Sequence, residues 1–453
     1  MSANAAKLYR SGRFRLHRQF GPTILAPATP GEIRDCLTPG SRYQPPFRPM
    51  GAGSSSTDCA SSPAGTVIDM TRLAEIRHID AYADTVTVQA GVRIGALAKA
   101  LAKQGLELAG SHDLMSRTVG GAVAGCCIGP SIGDDGAFFA SQVLSVKLIT
   151  PNGRPIQIRR DQKNLLNAFR LSYGMLGIIY EVTLKVRPIR PFAASHRRCT
   201  IEQFAAATEK LSTVDVGAKF YVMPFRNRVY LDLRQYSSEQ CSTHKLSWRI
   251  KDWGESTVMP HVFKSLNKVV PISGVRYRII DEISQLTQGI VNNRMVSSGS
   301  NATAQFSRDD DAPSRLHYST WFFPATDFAI VIQAYRDLCH QVRNLTGFRC
   351  DMPAVGFRLP RDRSAMLSPS FEEPMFALRA ISTEKKGWED FAIDFADFAQ
   401  HWGGLPVFNQ SRNVEADYAR QAFGSCHDFF RKIRRQFDPE NRMMNPFLSQ
   451  YFL

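Results

Sequence analysis

One glycine- and serine-rich segment restricts the fold of this chain more than any other feature. Residues 51–57 read Gly-Ala-Gly-Ser-Ser-Ser-Thr and directly follow Met50. Gly51 and Gly53 permit a tight turn and a close approach of the backbone to a ligand. The hydroxyl and N–H groups beside them form a nest for a di-anion such as a pyrophosphate. A flexible polar loop is the alternative interpretation of this segment taken alone.

Two familiar phosphate-binding loops do not fit this segment. A nucleotide-binding P-loop ends in Gly-Lys followed by Ser or Thr, and residues 51–57 contain no lysine. A Rossmann turn leads straight into a helix, whereas residues 54–65 show no apolar periodicity. If the loop holds a pyrophosphate, it does so in a different fold.

Two further glycine-rich segments follow along the chain. Residues 118–125 read Thr-Val-Gly-Gly-Ala-Val-Ala-Gly, and residues 172–180 read Ser-Tyr-Gly-Met-Leu-Gly-Ile-Ile-Tyr. Small residues let a backbone pack closely against a large or flat group. Each segment is a weak signal by itself, but the order and spacing of the three together are specific.

The apolar pattern divides the chain into three parts and predicts an α+β fold. Short strands alternate with helices through residues 1–190, with strands predicted at 66–70, 85–90, 143–150 and 177–186. Residues 191–405 mix strand-like and longer helical segments, which is typical of an antiparallel sheet with helices on one side. Residues 406–453 are expected to return to the first part.

Charge and cysteine content limit the partners. The net charge is +15, but the sequence has no nucleic-acid-binding motif, so nucleic acid is not expected as a partner. The basic clusters indicate a solvated surface, with peripheral contact to an anionic membrane as the alternative. Nine cysteines without a Cys-x-x-Cys pair indicate free thiols and a cytoplasmic protein, and no metal site is expected. The clusters comprise Arg10, Arg13, Arg15 and Arg18, and then Arg431, Lys432, Arg434 and Arg435.

Together the three segments resemble the FAD-binding domain of the vanillyl-alcohol oxidase and p-cresol methylhydroxylase family. The resemblance implies that residues 48–58 wrap the FAD pyrophosphate, while residues 116–129 and 172–180 flank the isoalloxazine and adenine ends. Many members bond FAD to a histidine of the first loop. This chain has Ser54 there and Ile128 in place of a second histidine, so non-covalent FAD is expected. The implied FAD contacts are Met50, Gly51, Ala52, Gly53, Ser54, Ser55, Ser56, Thr57, Thr118, Gly120, Gly121, Gly125, Gly129, Gly177, Ile178 and Ile179.

The C-terminal part resembles the aldonolactone and alditol oxidase branch and the decaprenylphosphoryl-ribose oxidases. The resemblance is carried by residues 355–369, 403–412 and 437–447. That branch has a Glu-x-Arg pair and a lysine in a His-Trp-x-Lys motif. Here Gly356 replaces the glutamate, Arg358 is kept, and Gln410 stands at the lysine position. Arg358 and Gln410 are therefore expected at the substrate, and Asn409 could donate a hydrogen bond there.

The catalytic base is not assigned by this resemblance. Oxidation of an alcohol removes a hydride from carbon and a proton from the hydroxyl group, so a group with a suitable pKa must lie nearby. The candidates are His112, His317, Tyr318 and His401.

The resemblance implies an FAD-dependent oxidoreductase acting on a hydroxyl-bearing small molecule, such as a sugar, sugar lactone, sugar-lipid or other alcohol. Oxygen, a carrier protein or a quinone would accept the electrons. One alternative is a reductase of a carbon–carbon double bond, similar to the sterol side-chain reductases, with a nicotinamide donor. Another is a binding protein that keeps the fold without catalysis.

Overall fold

The structure, a computed structural model, describes residues 23–109, 115–132, 136–237, 245–291, 295–297 and 316–453. The strands within these residues are β1 (Thr23–Leu25), β2 (Phe47–Met50), β3 (Thr66–Asp69), β4 (Ile76–Asp80), β5 (Thr85–Gln89), β6 (Leu106–Leu108), β7 (Val143–Ile149), β8 (Pro155–Arg159), β9 (Ile178–Pro188), β10 (Phe192–Cys199), β11 (Gly217–Met223), β12 (Arg228–Tyr236), β13 (Met295–Ser297), β14 (His317–Pro324), β15 (Ala354–Leu359), β16 (Met375–Ser382) and β17 (Leu405–Pro406).

The helices are α1 (Pro30–Leu37), α2 (Ile94–Ala102), α3 (Val119–Ala124), α4 (Lys163–Phe169), α5 (Ile201–Thr213), α6 (Lys245–Trp253), α7 (Met259–Val269), α8 (Ser273–Gly289), α9 (Phe328–Thr346), α10 (Trp388–His401), α11 (Ala416–Phe437) and α12 (Pro446–Phe452). A π-helical turn at Gly254–Val258 joins α6 to α7.

Two sheets form the N-terminal part. Strands β1, β3 and β2 make a small parallel sheet, and β4, β5, β9, β7 and β8 make an antiparallel one, to which β6 adds by pairing with β9. The long strand β9 lies in the middle of this sheet, between β5 and β7. Its residues Val182, Leu184 and Val186 alternate along one face and are buried. Both glycine-rich turns before β3 and β9 therefore lead into buried strands, which hold the loops at fixed positions.

An antiparallel sheet of eight strands forms the second part, in the order β13, β10, β12, β11, β15, β16, β14 and β17. One face packs on α5, α9 and α10 through stacked aromatic rings, such as Phe328 with Phe376 at 4.5 Å between centroids. Phe322 and Phe357 lie on the opposite face and pack against Ile128 and Phe138 of the N-terminal part. We call this second face the site face.

Helices α6 and α7 and the π-helical turn between them cover the part of the site face formed by β11 and β12. There Lys251 of α6 donates to Asp232 of β12 at 2.8 Å, and Tyr221 of β11 donates to Glu255 at 2.6 Å. The expected α+β fold is confirmed, and these additional helices lie on the face opposite to α5, α9 and α10.

The last fifty residues lie against the first glycine loop. Asn445 caps α12 and donates through Nδ2 to the carbonyl groups of Asp58, at 2.9 Å, and Ser61, at 2.7 Å. Arg434, from the second basic cluster, is buried and donates to Asn441 at 2.7 Å instead of facing solvent. The division of the chain at residues 190 and 405 stays a prediction.

Two observations bear on the surroundings of the protein. Within the described residues, no helix combines the length and the apolar composition that a membrane span requires. Eight cysteines lie in the described residues, and all of them are free. A cytoplasmic location stays a prediction.

Candidate active site

A cleft of about 850 Å³, including space open to solvent, lies where the three glycine-rich segments meet. Its walls come from the end of β2 and the loop after it, from α3 and the residues around it, and from the turn before β9. The lining residues include Met50, Gly51, Ala52, Gly53, Ser54, Ser55, Thr118, Gly120, Gly121, Gly125, Gly177, Ile179 and Asn409.

The glycines give the cleft its shape because neighbouring residues lie so close to them that a side chain would not fit. A Cβ atom added to Gly51 would lie 2.0 Å from Oγ1 of Thr118, the residue that caps α3. A Cβ atom added to Gly120 would lie 2.7 Å from Cβ of Ala90 on the other side of α3. Gly53 has a φ of +66°, which side chains other than glycine rarely adopt. Larger residues would push the loop and α3 apart.

The loop presents its backbone to the cleft and its last hydroxyl groups away from it. Ser56 donates to the carbonyl oxygen of Gln410 at 3.1 Å, and Thr57 donates to that of Phe408 at 2.5 Å. These two side chains therefore tie the loop to the C-terminal segment. Among the described residues, no group accepts a hydrogen bond from the backbone N–H groups of Ala52, Ser54 and Ser55. These N–H groups are free to bind an anion.

Arg48 supports the loop from behind. Its side chain is almost completely buried and donates to four carbonyl groups, including Cys59 at 2.9 Å and Met443 at 2.6 Å. The other two carbonyl groups belong to Tyr173 and Gly174 of the third glycine segment. One guanidinium group thus joins the first loop, the third segment and the C-terminus. The predicted pyrophosphate segment 48–58 begins at this residue, but sequence reasoning assigned it no role.

The structure brings most of the predicted cofactor residues to the cleft. Ser56, Thr57, Gly129 and Ile178 do not line it, whereas the others do. Arg48 and Arg117 are also part of the lining; they lie within the predicted segments 48–58 and 116–129 but are not among the individual contacts predicted there. The signal for Arg117 was its place directly before the second glycine segment.

Beside the cleft, hydrogen bonds join the N-terminal part to the site face. Arg117 donates to the carbonyl oxygen of Cys126 at 2.6 Å, and Gln410 donates to the same oxygen at 2.9 Å. The side-chain oxygen of Gln410 accepts hydrogen bonds from Thr320 at 3.0 Å and from Arg379 at 3.2 Å. Gln410 is fully buried, so it holds these groups in place.

Arg358 lies on the other face of the eight-stranded sheet. Phe357 faces the site, so the pleat turns Gly356 and Arg358 towards the helices. Arg358 donates to the carbonyl groups of Ser212, at 3.1 Å, and Val216, at 3.4 Å, near the end of α5. The structure therefore does not bring Arg358 to the cleft. The arginine on the site face beside Gln410 is Arg379 of β16.

Of the candidate bases, Tyr318 is the one that the structure places beside the glycine loop. Its hydroxyl group donates to the carbonyl oxygen of Ser54. His317 points to the opposite face, 6.0 Å from the ring of Trp388, where burial and Arg412 lower its pKa. His401 is exposed at the end of α10, and His112 lies outside the described residues.

Comparison with known proteins identifies the family of this chain. Residues 22–159 match the FAD binding domain, and residues 182–451, more than half of the chain, match the family described as D-arabinono-1,4-lactone oxidase. The chain belongs to the D-arabinono-1,4-lactone oxidase family. The predicted family is thereby confirmed, together with its FAD binding domain.

This member of the D-arabinono-1,4-lactone oxidase family shares little sequence identity with two of its relatives. L-gulono-1,4-lactone dehydrogenase of Mycobacterium tuberculosis is 26% identical over 217 residues, which are 48% of this chain and 50% of that protein. The chain thus spans about half the length of that relative. L-gulonolactone oxidase of Mus musculus is 21% identical over 431 residues, 94% of both chains.

A solved structure shows the same fold. The crystal structure of cholesterol oxidase from B. sterolicum superposes with a TM-score of 0.74 at 15% identity and covers 95% of this chain and 94% of that one. At this identity the likeness concerns the fold alone, and it confirms the expected two-part architecture.

The residues of the cleft fit FAD, the cofactor of this family member. The free N–H groups of the loop suit the doubly charged pyrophosphate. The glycine walls leave room where side chains would fill the space. Arg117 also lines the cleft, and its Nε and Nη2 atoms have no partner among the described residues.

Proposed function

We propose that this chain is an FAD-dependent oxidoreductase that oxidises a hydroxyl-bearing small molecule, such as a sugar, a sugar lactone, a sugar-lipid or another alcohol. One observation carries the proposal. The glycine-lined cleft adjoins the polar site face of the second part, because Tyr318 on β14 donates to Ser54 of the loop. A cofactor in the cleft and a substrate on the site face would therefore be in contact.

When bound, FAD supplies the acceptor for a hydride from the carbon that bears the hydroxyl group. In our proposal, the loop N–H groups hold the cofactor side of the site, and Tyr318, Thr320 and Arg379 contact the substrate. The hydroxyl group of Tyr318 donates its proton to the carbonyl oxygen of Ser54. The phenol oxygen therefore still has lone pairs that can accept a hydrogen bond from the hydroxyl group of the substrate. Tyr318 would thus orient the hydroxyl group.

An anaerobic titration tests the proposed reaction. The purified, FAD-loaded protein is mixed with sugars, L-gulono-1,4-lactone, D-arabinono-1,4-lactone, long-chain alcohols and, separately, NADPH. Bleaching of the visible flavin band by a hydroxyl donor, and not by NADPH, is expected. Bleaching by NADPH alone would favour the reductase of a carbon–carbon double bond instead. A colourless protein that cannot be loaded with FAD would favour a binding protein without catalysis.

We propose further that FAD is bound without a covalent bond. Ser54 stands where many relatives have the bonding histidine, and no histidine lines the cleft within the described residues. Cys59 is the thiol in the lining, and burial raises its pKa, which keeps it protonated and a poor nucleophile. Precipitation with acid should release all of the flavin into the supernatant. Yellow colour that stays with the precipitated chain would contradict this proposal.

The electron acceptor in this proposal is oxygen, a carrier protein or a quinone. After anaerobic reduction, air and a soluble quinone are added in separate experiments. Fast return of the flavin band in air indicates an oxidase, and return only with the quinone indicates a dehydrogenase.

A peripheral membrane contact is proposed at the tip formed by the end of α7 and the start of α8. Val269 and Ile272 are exposed there, with 75% and 66% of their surface accessible, and Val275 is also exposed. Lys264 and Lys268 flank them, and residues 259–280 contain no aspartate or glutamate. Exposed apolar side chains close to lysines are typical of a surface that enters an anionic bilayer. Together with the net charge of +15, the tip favours contact with the inner, cytoplasmic face of a membrane.

Co-sedimentation with vesicles tests this contact. The protein should sediment with vesicles that contain phosphatidylserine and much less with pure phosphatidylcholine, and added salt should weaken the binding. The variant Val269→Ser with Ile272→Ser should lose it. Leu345→Ser is the matched control, since Leu345 is 76% exposed on α9, away from the tip. Equal binding by the control, the double variant and the unchanged protein would contradict the proposal.

A further inference from the structure

We propose that Arg117 and Arg379 form a subsite for an oxyanion of the substrate, so that the compound oxidised carries a carboxylate or phosphate besides its hydroxyl group. This inference rests on the proposed function and names the substrate class of the same site. It concerns two residues that no feature of the sequence marked as substrate contacts.

Arg117 has a buried guanidinium group that is only partly satisfied. Its surface is 3% exposed; Nη1 donates to the carbonyl oxygen of Cys126, and the side chain of Cys127 is a second hydrogen-bond partner. The Nε and Nη2 atoms have no partner among the described residues, although Arg117 lines the cleft. Leaving such donors buried and unpaired is costly, so a ligand is expected to accept from them.

Arg379 lies on the site face and is held in one orientation. It is 8% exposed, and Nε donates to Thr320 at 3.1 Å while Nη2 donates to Gln410 at 3.2 Å. Its guanidinium carbon lies 5.5 Å from the centre of the Tyr318 ring, next to the candidate that orients the hydroxyl group. Within the described residues, these two hydrogen bonds come from Nε and Nη2, and none is found from Nη1. The side chain is therefore positioned in advance to bind an acceptor there.

The two arginines belong to one hydrogen-bonded cluster. Arg117 donates to Cys126, Gln410 donates to the same carbonyl oxygen, and Arg379 donates to Gln410. The Cys126 thiol between them does not neutralise them, because burial raises its pKa to about 12. The carbonyl oxygen of Cys126 is thus joined to Arg117 directly and to Arg379 through the side chain of Gln410.

Neither arginine has an acidic partner in the part of the chain that the structure describes. Some buried arginines do have one, such as Arg349, which pairs with Asp281. A buried cation without a counter-ion is unfavourable unless a ligand supplies the negative charge. Arginine is also the side chain best suited to bind a carboxylate or phosphate through two parallel hydrogen bonds. An anionic substrate would provide what this cluster lacks.

A binding experiment tests the subsite without relying on turnover. The dissociation constants of L-gulonate, its neutral 1,4-lactone and ribose 5-phosphate are measured from the change that each causes in the visible flavin band of the FAD-loaded protein. We expect one of the anions to bind at least about tenfold more tightly than the lactone, given the strength of charge-assisted hydrogen bonds. The gulonate and phosphate arms distinguish carboxylate from phosphate.

Variants then assign the effect to the arginines. Arg117→Gln and Arg379→Gln should each weaken binding of the preferred anion by about 10- to 100-fold and binding of the neutral lactone much less, while Arg379→Lys should keep part of the preference. Arg361→Gln, at an exposed arginine outside the cluster, should change nothing. Melting temperature and FAD content of each variant show that it folds.

Three outcomes separate the inference from the proposed function. Equal affinity for anion and lactone would overturn the subsite. Loss of FAD from the two Gln variants with unchanged anion preference would also overturn it, because the arginines would then serve the cofactor. A retained anion preference in a protein whose flavin no hydroxyl donor reduces would support the subsite and overturn the proposed function.

Discussion

Arg117 and Gln410 donate to the same acceptor, the carbonyl oxygen of Cys126, at 2.6 and 2.9 Å. Arg117 comes from the second glycine-rich segment and Gln410 from the C-terminal segment. Their shared acceptor ties both parts of the protein together directly beside the cleft. Gln410 occupies the position where related oxidases are expected to have a lysine, and here it is a neutral link between two arginines.

Replacement of Gln410 should therefore affect stability as well as binding. Gln410→Ala removes the hydrogen bonds to Cys126, Thr320 and Arg379 and leaves Arg379 with one fewer partner. We expect a loss of about 2–4 kcal/mol in the free energy of unfolding, since these groups are buried. Urea unfolding measures it. Gln333→Ala, which removes a hydrogen bond to Ala329 within α9, is the control. Equal losses in both variants would contradict the role of Gln410.

The glycine at position 51 should be essential for FAD binding. In Gly51→Ala the added methyl group would lie 2.0 Å from Oγ1 of Thr118, so the loop and α3 must separate. The ratio of flavin to protein absorbance after purification should fall severalfold. Gly274→Ala is the matched control, because a Cβ atom there meets nothing within 4 Å. Full FAD content in Gly51→Ala would show that the cleft does not depend on this contact.

Arg358 should act in stability and not at the substrate. Arg358→Gln loses the hydrogen bonds to the carbonyl groups of Ser212 and Val216 behind the sheet. The expected cost is about 1–3 kcal/mol of unfolding free energy, with ligand dissociation constants unchanged. Thermal unfolding and the flavin titration together check this. A large change in ligand affinity with normal stability would place Arg358 at the substrate after all.

Acid should weaken the contact between α6 and the eight-stranded sheet. Burial alone would raise the pKa of Asp232, but Lys251 and His196 outweigh it and hold the pKa below its usual range. A carboxyl group whose pKa is lowered by folding stabilises the folded state fully at any pH above its pKa in the unfolded chain, which is near 4. This stabilisation is lost as the pH falls below that value towards the pKa in the folded state.

Asp232→Asn tests this pair. It should lower the free energy of unfolding at pH 7 by about 1–3 kcal/mol, because it removes one of the two carboxylates that pair with buried Lys251, the other being Glu255. The difference from the unchanged protein should shrink below about pH 4. Asp337→Asn, at an exposed pair with Arg336, should change stability by about 0–1 kcal/mol. A difference that is independent of pH down to pH 3 would argue against this account.

Much of the fold could be predicted from local signals. The glycine-rich segments were found because turns and close backbone contacts restrict the residue type at single positions. Strands such as Thr85–Gln89 and Val143–Ile149 were found because a period of two marks a half-buried strand. The family follows from the order of these segments, and it is confirmed by the comparisons.

The polar residues of the site were harder to predict. A period of two shows that Gly356 and Arg358 share a face, but not which face meets the cofactor domain. Every residue of Met375–Ser382 is buried, so no polar alternation distinguishes Arg379 from its neighbours. The hydroxyl groups of Ser56 and Thr57 resemble those of an anion nest, yet they bind the chain near Gln410, far away in sequence. Only the tertiary fold decides such contacts.

Anaerobic reduction with a deuterated substrate tests the central claim most directly. The hydroxyl compound that bleaches the flavin fastest is prepared with deuterium on the carbon that bears the hydroxyl group, and the bleaching is followed by stopped flow. If the protein oxidises that carbon by hydride transfer, bleaching slows severalfold with the deuterated compound, and NADPH leaves the flavin oxidised. Reduction by NADPH together with no reduction by any hydroxyl compound would contradict the account.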